Sequence, residues 1–274
     1  MDKRVLALII IFAIIALTLI LCATVFLLRD IEVGYSAVRE EAVVSEEEII
    51  FASGLKPNKN VLFINEKQII SNVQQKYPQV KVINVERVFP NKVIIYVTVR
   101  VPILAVSVGD EFALIDREMF VTDIVSSDEL IQKQNAYGYE FIRVNFSLPS
   151  EKAVQGKQIA ADVSKELCVV QNVIAGYENL DDDLGLLNQN LRSFVESVKV
   201  VENDGSVYSD GEYIASIKTS TGVEIRLPSV NLGKLINLSY DWYNNLIDSS
   251  NAEDVFKLNS GFVIYKNEKF VWYE

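Results

Sequence analysis

Three short segments carry residue types that could make and break a covalent bond. Ser53-Gly54-Leu55-Lys56 has S-x-x-K spacing, Ser229-Val230-Asn231 reads S-x-N, and Lys218-Thr219-Ser220 approximates K-T-G. Together they would suit Ser–Lys acyl transfer of the penicillin-binding type, in which the serine opens a helix and the lysine shares its face one turn on. The local sequence opposes that chemistry. Ser53 stands beside Gly54 and shortly before Pro57, where a helix ends, and K-T-S precedes S-x-N, the reverse of the usual order. The chain has no histidine, which removes Ser-His-Asp triads, Cys-His pairs and most zinc sites. Asp181-Asp182-Asp183 offers carboxylates for a hard cation, but calcium needs about six to eight oxygens and the remaining EF-hand spacing is missing. A solvated acidic loop is expected instead. No Walker A loop or dinucleotide fingerprint occurs. The expectation is therefore no catalytic residue, no metal ligand and no cofactor.

Charge and hydropathy point to binding rather than chemistry. The formal net charge is −11, and setting aside Asp2, Lys3 and Arg4 leaves 24 basic and 36 acidic residues. An acidic surface repels nucleic acid and anionic headgroups, so neither nucleic-acid binding nor peripheral membrane binding is expected. From Val5 to Leu28 there is no charge at all. That run would make a helix about 36 Å long, against a hydrocarbon core of roughly 30 Å, and it predicts a transmembrane helix. It is too long for a signal peptide, and no A-x-A-like site follows it. Residues 1–4 are assigned to the cytoplasm, with the rest of the chain beyond the membrane, although Lys3 and Arg4 are nearly balanced by Arg29 and Arg39. Cys22 lies inside the span and Cys168 far from it, so no disulfide is expected.

After the span the patterns alternate between strand and helix. Ile31–Val44 is compatible with a strand. Ser45 with Glu48 forms a capping box, Val44 with Ile49 a hydrophobic staple, and Gly54 suits the position just past a helix end. Asn65 opens a second helix whose Ile69, Ile70, Val73 and Tyr77 share a face, and Pro78 ends it. Ile83 and Val85 alternate with Asn84 and Glu86, Pro90-Asn91 turns the chain, and Val93, Ile95, Val97 and Val99 line the next strand. The order is β-α-α-β-β, with both helices on one face of a small sheet.

These residues resemble the POTRA domain of the FtsQ/DivIB family of bacterial cell division proteins. The resemblance runs from Ser45 to Pro102. It rests on Ser53-Gly54-Leu55, Asn60-Val61-Leu62-Phe63, Tyr77-Pro78, Arg87-Val88-Phe89-Pro90-Asn91 and Arg100-Val101-Pro102. The segment Phe112–Val121, "FALIDREMFV", is similar to a following stretch of that family. Val99 and Met119 depart from it, standing where the family usually has Glu and Gly.

Beyond Val101 the sequence breaks into short strands with added helices. Val163, Leu167, Val170, Ile174 and Tyr177 make a helical stripe that either packs on a sheet or offers a seam to a partner. Strands are expected near Phe194–Val201, over Tyr213–Thr219 and around Val223, Ile225 and Leu227, with Gly222 in a turn. Leu232, Leu235, Ile236, Ser239, Trp242, Tyr243 and Leu246 suit one helical face. The last two strands hold Phe262, Val263, Ile264 and Tyr265, then Phe270, Val271, Trp272 and Tyr273. They are predicted as sheet-edge strands able to accept a partner, although core filling is an open alternative.

The predicted class is α+β, with an N-terminal transmembrane helix, a POTRA-like β-α-α-β-β module and a mostly antiparallel β domain with added helices. The predicted bounds are 1–4, 5–28, 29–101 and 102–274. The resemblance implies a non-enzymatic scaffold of the divisome at the septum, regulating septal peptidoglycan synthesis through protein contacts. It implies FtsB/DivIC-like and FtsL-like bitopic coiled-coil proteins as partners. A POTRA-bearing protein for polypeptide translocation and an anchored cell-wall enzyme are the alternatives.

Overall fold

The computed structural model describes residues 3–36, 44–160, 163–182, 194–249 and 261–273. It divides into two compact units, Met1–Arg100 and Val101–Glu274.

The first unit opens with helix α1 (Lys3–Thr24). Leu8, Ile9, Ile10, Ile11 and Phe12 are five consecutive exposed positions, so with 3.6 residues per turn the apolar surface runs right round the helix. The side chains of Leu6, Ala7, Leu19, Leu21 and Cys22 lie outside the described residues. Among the described residues no helix is long and apolar enough to cross a membrane. The helix also stops short of the expected limit at Leu28. Leu27 forms a β-bridge with Asn60, the Leu28 N–H donates to the Lys59 carbonyl at 2.7 Å, and the Leu28 side chain is fully buried. The end of the apolar run thus belongs to the core of the folded domain.

That domain is built from β1 (Asp30–Tyr35), α2 (Glu46–Ser53), α3 (Glu66–Lys76), β2 (Val80–Val88) and β3 (Lys92–Val99). The sheet order is β1-β3-β2, with β1 parallel and β2 antiparallel to the central β3. The strand expected to run to Val44 ends at Tyr35. Residues 37–43, with Arg39, Glu40 and Glu41, lie outside the described residues, and the Tyr35 hydroxyl donates to the Val44 carbonyl at 2.7 Å.

Local signals set the helices. Ser45 accepts from the Glu48 N–H, and Glu48 accepts in return from the Ser45 N–H and hydroxyl, closing the capping box. Val44 and Ile49 are buried in one cluster, and Gly54 takes the left-handed conformation at φ 70°. Asn65 caps α3, which buries Ile69 and Val73. On the sheet, Val93, Ile95 and Val97 are buried. Ile83 departs from its expected inward place. A β-bulge between Val82 and Asn84 shifts the register, so Val80, Val82 and Val85 point inward and Ile83 is 49% exposed.

The second unit holds β4 (Pro102–Val108), β5 (Glu111–Asp116), β6 (Val121–Val125), α4 (Ser127–Tyr137), β7 (Ile142–Ser147), α5 (Lys165–Asp182), β8 (Val195–Glu202), β9 (Tyr213–Thr219), β10 (Glu224–Pro228), α6 (Leu232–Ser249), β11 (Phe262–Lys266) and β12 (Lys269–Tyr273). Its strands form one nine-stranded sheet in the order β12-β11-β10-β9-β8-β7-β4-β5-β6. Three of its pairings, β4–β7, β7–β8 and β10–β11, are parallel and the others antiparallel. The α5 stripe is core: Leu167, Val170, Ile174 and Tyr177 are all buried. A Cβ on Gly176 would stand 3.0 Å from Ile236, so glycine lets α5 approach α6. Helix α4 covers a smaller cluster of Ala105, Leu114, Val125, Leu130 and Phe141. Of the acidic triplet, Asp181 and Asp182 end α5, and Asp183 lies outside the described residues.

The Ser45 N–H and hydroxyl hold the Glu48 carboxyl below its ordinary value of 4.5, and Ser126 does the same for Glu129 at the start of α4. A carboxyl lowered on folding stabilises above its unfolded value, and that contribution fades as pH falls through the lower folded one. Both caps are therefore expected to hold at neutral pH and weaken below about pH 4.5. Ser45→Ala should weaken α2 by about 1 kcal/mol, a roughly fivefold faster amide exchange in that helix. Exchange measured at neutral pH by mass spectrometry checks it, and unchanged exchange in α2 contradicts it.

Candidate partner-binding site

An open sheet has two edges, each with outward backbone donors and acceptors. In the second unit these edges are treated differently. At β6 the chain returns over residues 156–159 and pairs with the start of the strand, at Val121 and the two residues before it. The Val121 N–H donates to Lys157 at 3.0 Å, the Gly156 N–H to Val121 at 2.9 Å, and the Ile159 N–H to Met119 at 2.8 Å, while Phe120 bridges Gln158. At β12, among the described residues, β11 is the one neighbouring strand.

The β11–β12 hairpin turns at Asn267 and Glu268, with φ 52° and 61°, so both central residues are left-handed as a two-residue type I′ turn requires. In such a hairpin the flanking Lys266–Lys269 pair is hydrogen bonded. Lys269, Val271 and Tyr273 then direct their backbone groups at β11, and Phe270 and Trp272 direct theirs outward. Gly261 leads into the hairpin because a Cβ there would stand 2.0 Å from the Tyr273 carbonyl oxygen.

The eight predicted contact residues separate into two groups. Val263 and Ile264 are buried, and Phe262 and Tyr265 are half-buried. β11 is the second strand, paired to β10 through Glu224↔Phe262, Ile225↔Val263 and Arg226↔Ile264. It is not an edge strand, which corrects the expectation for these four residues. Phe270 is half-buried, stacked on Trp242 of α6 at 5.1 Å. Val271, Trp272 and Tyr273 are exposed at 36–38%. They lie consecutively, so both faces of the strand show apolar surface.

Four residues not among the predicted contacts, Tyr208, Arg226, Glu224 and Trp242, hold this edge in place. The Tyr208 hydroxyl donates to the Arg226 carbonyl of β10 at 2.6 Å and accepts from the Tyr265 N–H of β11 at 3.1 Å. It fills the step where the parallel ladder ends after Arg226↔Ile264. Burial pushes its phenol up to about 12, partly offset by the Tyr265 N–H, so it stays a donor at any physiological pH. The Arg226 guanidinium lies 3.6 Å over the Phe262 ring, and Phe262 stacks on Tyr273 at 5.9 Å. Arg226 is fixed by Glu224 at 2.7 Å. Glu224 is half-buried, which raises its carboxyl, but bonds from Ser216 and Arg226 outweigh that and leave it lowered. Trp242 completes the support. A tyrosine between Val207 and Ser209 in an aperiodic segment has no sequence signal, whereas Asn267 between two apolar runs is a readable turn cue.

The Ser-Lys candidate does not assemble. The Ser53 hydroxyl donates to Ile50 at 2.6 Å, accepts from Leu55 at 3.1 Å and is buried. Its oxygen closes the end of α2. Ser53 borders a cleft of about 330 Å³ with Asn60, Asn65 and Asn72, and Lys56 is not part of the lining.

Residues 37–100 match the family model described as the POTRA domain, FtsQ-type. None of the curated proteins compared matches this chain. The match covers α2, α3, β2 and β3 of the first unit and leaves out α1 and β1. It supports the likeness of the sequence to the FtsQ/DivIB family, and the chain carries an FtsQ-type POTRA domain.

Tyr208→Phe leaves the Tyr265 N–H and the Arg226 carbonyl unmatched at a buried step, a loss of about 1–3 kcal/mol. Amide exchange in β11 and β12 should quicken while β8 and β9 keep their protection. Equal loss of protection across the whole sheet would show that Tyr208 supports the global fold rather than the hairpin.

Proposed function

We propose, from the FtsQ-type POTRA domain that this chain carries, that the protein is a non-enzymatic bitopic scaffold of the bacterial division machinery. The observation that supports a binding role best is the contrast between the two edges of the nine-stranded sheet: the start of β6 is paired with residues 156–159 of its own chain, whereas among the described residues β12 has no strand beyond it and its outward backbone groups are flanked by Val271, Trp272 and Tyr273. An added strand would hydrogen bond to Phe270 and Trp272, and the exposed side chains would supply specificity. Aromatic clusters of this kind carry most of the energy in many interfaces. The partners proposed are small bitopic coiled-coil division proteins of the FtsB/DivIC and FtsL type, through which the scaffold would regulate septal peptidoglycan synthesis.

Helix α1 is proposed to anchor the protein, with its N-terminal end in the cytoplasm and both folded units beyond the membrane. The support is the charge-free run from Val5 to Leu28 and the exposure of consecutive apolar residues around the helix. A helix apolar on every side has no stable place in water.

Two measurements test the reading. A fluorescent protein fused ahead of Met1 should give a sharp mid-cell band at constriction. An even envelope signal throughout the cycle would remove the division role and favour polypeptide translocation. Trp272→Ala should weaken capture of the coiled-coil partners by about 2 kcal/mol or more, roughly thirtyfold in Kd, with the thermal unfolding of the scaffold unchanged. Unaltered capture would move the interface away from β12.

A further inference from the structure

We infer that the end of the POTRA domain nearest α1 is docked in the phospholipid interface, so that the domain sits on the bilayer instead of hanging from a tether. The inference rests on the anchored reading of α1.

The argument is one of chain length. Helix α1 ends at Thr24, and Phe26 is already bound to the domain, its carbonyl accepting from the Val61 N–H at 2.8 Å. Leu27 bridges Asn60, and the Leu28 carbonyl accepts from the Asn58 N–H at 2.9 Å. Two residues span at most about 7 Å. Phe26 therefore lies within that distance of the helix end, and the strip of the domain paired to it at most about 5 Å further, which is headgroup depth for a spanning helix.

The side chains on this strip suit that depth. Phe89, at the tip of the β2–β3 turn, packs edge-on against Phe26 at 5.8 Å and is still 56% exposed. Val25 is 41% exposed, and Phe63, in the short 3-10 turn that starts at Val61, is 84% exposed. Two phenylalanines exposed on segments that border the helix end gain nothing from water, and amphipathic interfaces take such side chains with basic residues alongside. Arg29 and Lys59 supply that charge at exposed positions on the paired segments. The neighbouring acidic side chains Asp30 and Glu32 are both paired with Lys92, which limits their repulsion of lipid phosphate. The chain as a whole is acidic, so attraction would be confined to this end.

The test uses the full chain with Cys22→Ala and Cys168→Ala in liposomes of phosphatidylethanolamine and phosphatidylglycerol. Single cysteines at Phe89→Cys and Phe63→Cys carry a nitroxide, and power saturation compares access of oxygen with access of a nickel chelate. Ile83→Cys is the aqueous control, about 20 Å up β2 from Phe89, and Phe12→Cys reports on the helix. The expected result is a several-fold higher oxygen-to-nickel ratio at Phe89 and Phe63 than at Ile83. If both labels are as wet as Ile83 while Phe12 is in lipid, the anchor stands and the docking is overturned. If nickel is excluded without any gain in oxygen access, protein covers the face and lipid docking is again overturned. If the Phe12 label is wet, the anchored reading fails and the inference falls with it.

Discussion

A hydrogen-bonded sheet must do something with the backbone groups of its outermost strands. In the second unit that constraint organises everything else. Five antiparallel and three parallel pairings carry the ladder from β12 to β6, and helices α5 and α6 pack against each other and cover strands β8 to β10. The chain then uses residues 156–159 to pair the start of one edge, around Val121, from within. A covered edge gains internal hydrogen bonds and loses the capacity to bind; an open edge does the reverse. The hairpin at the open edge is joined to the rest of the sheet by a short ladder, three parallel pairs between β10 and β11. Tyr208 compensates for that shortness, because its hydroxyl bonds to both strands just past the last pair.

The first unit solves a different problem, the passage from an apolar helix to a polar surface. Leu28 marks the change. It ends a charge-free run and is fully buried, yet Arg29 and Asp30 follow at once and both donate to the Asn91 carbonyl. One short segment is therefore held from two sides, by Lys59 and Asn58 in the α2–α3 connection and by Asn91 in the β2–β3 turn. Such pairing removes the freedom that a linker between helix and domain would have.

How much of this was legible depended on the range of the interaction. Ser45, Glu48, Gly54 and Asn65 act on atoms within a few residues of themselves, and their caps stand where the sequence put them. The strands Tyr213–Thr219, Phe262–Tyr265 and Phe270–Tyr273 were readable because alternating apolar and aromatic runs mark strands. Helix α4 was not foreseen, although Ser126 and Glu129 form a second capping box; its apolar residues are few, with Leu130 alone buried. Alternation groups Ile83 with Val85, but one bulge inverts the pattern and turns Ile83 outward, and a bulge leaves no mark on composition. The placing of β11 at an edge failed for a third reason. A run of Phe, Val, Ile and Tyr fits an edge or an interior strand equally, and only the pairing with β10, distant in sequence, decides.

That last distinction determines what the aromatic residues near the end of the chain can mean. Val263 and Ile264 face inward, so a change there removes packing from the core and loosens the strand that carries β12. Its effect on any partner would be indirect. Val271, Trp272 and Tyr273 have surface to give, and only there does loss of binding report on contact. Phe262 lies between the two: its ring is sandwiched by Arg226 and Tyr273, so it aligns an exposed side chain while remaining half-buried itself. A hairpin built this way separates support from recognition by one strand. The inner strand is held by Tyr208 and Arg226, Trp242 packs on Phe270 of the outer strand, and the outer strand keeps its outward backbone groups for whatever pairs with it. An edge held in register before the partner arrives loses little conformational freedom on binding, which favours affinity in a strand-addition interface.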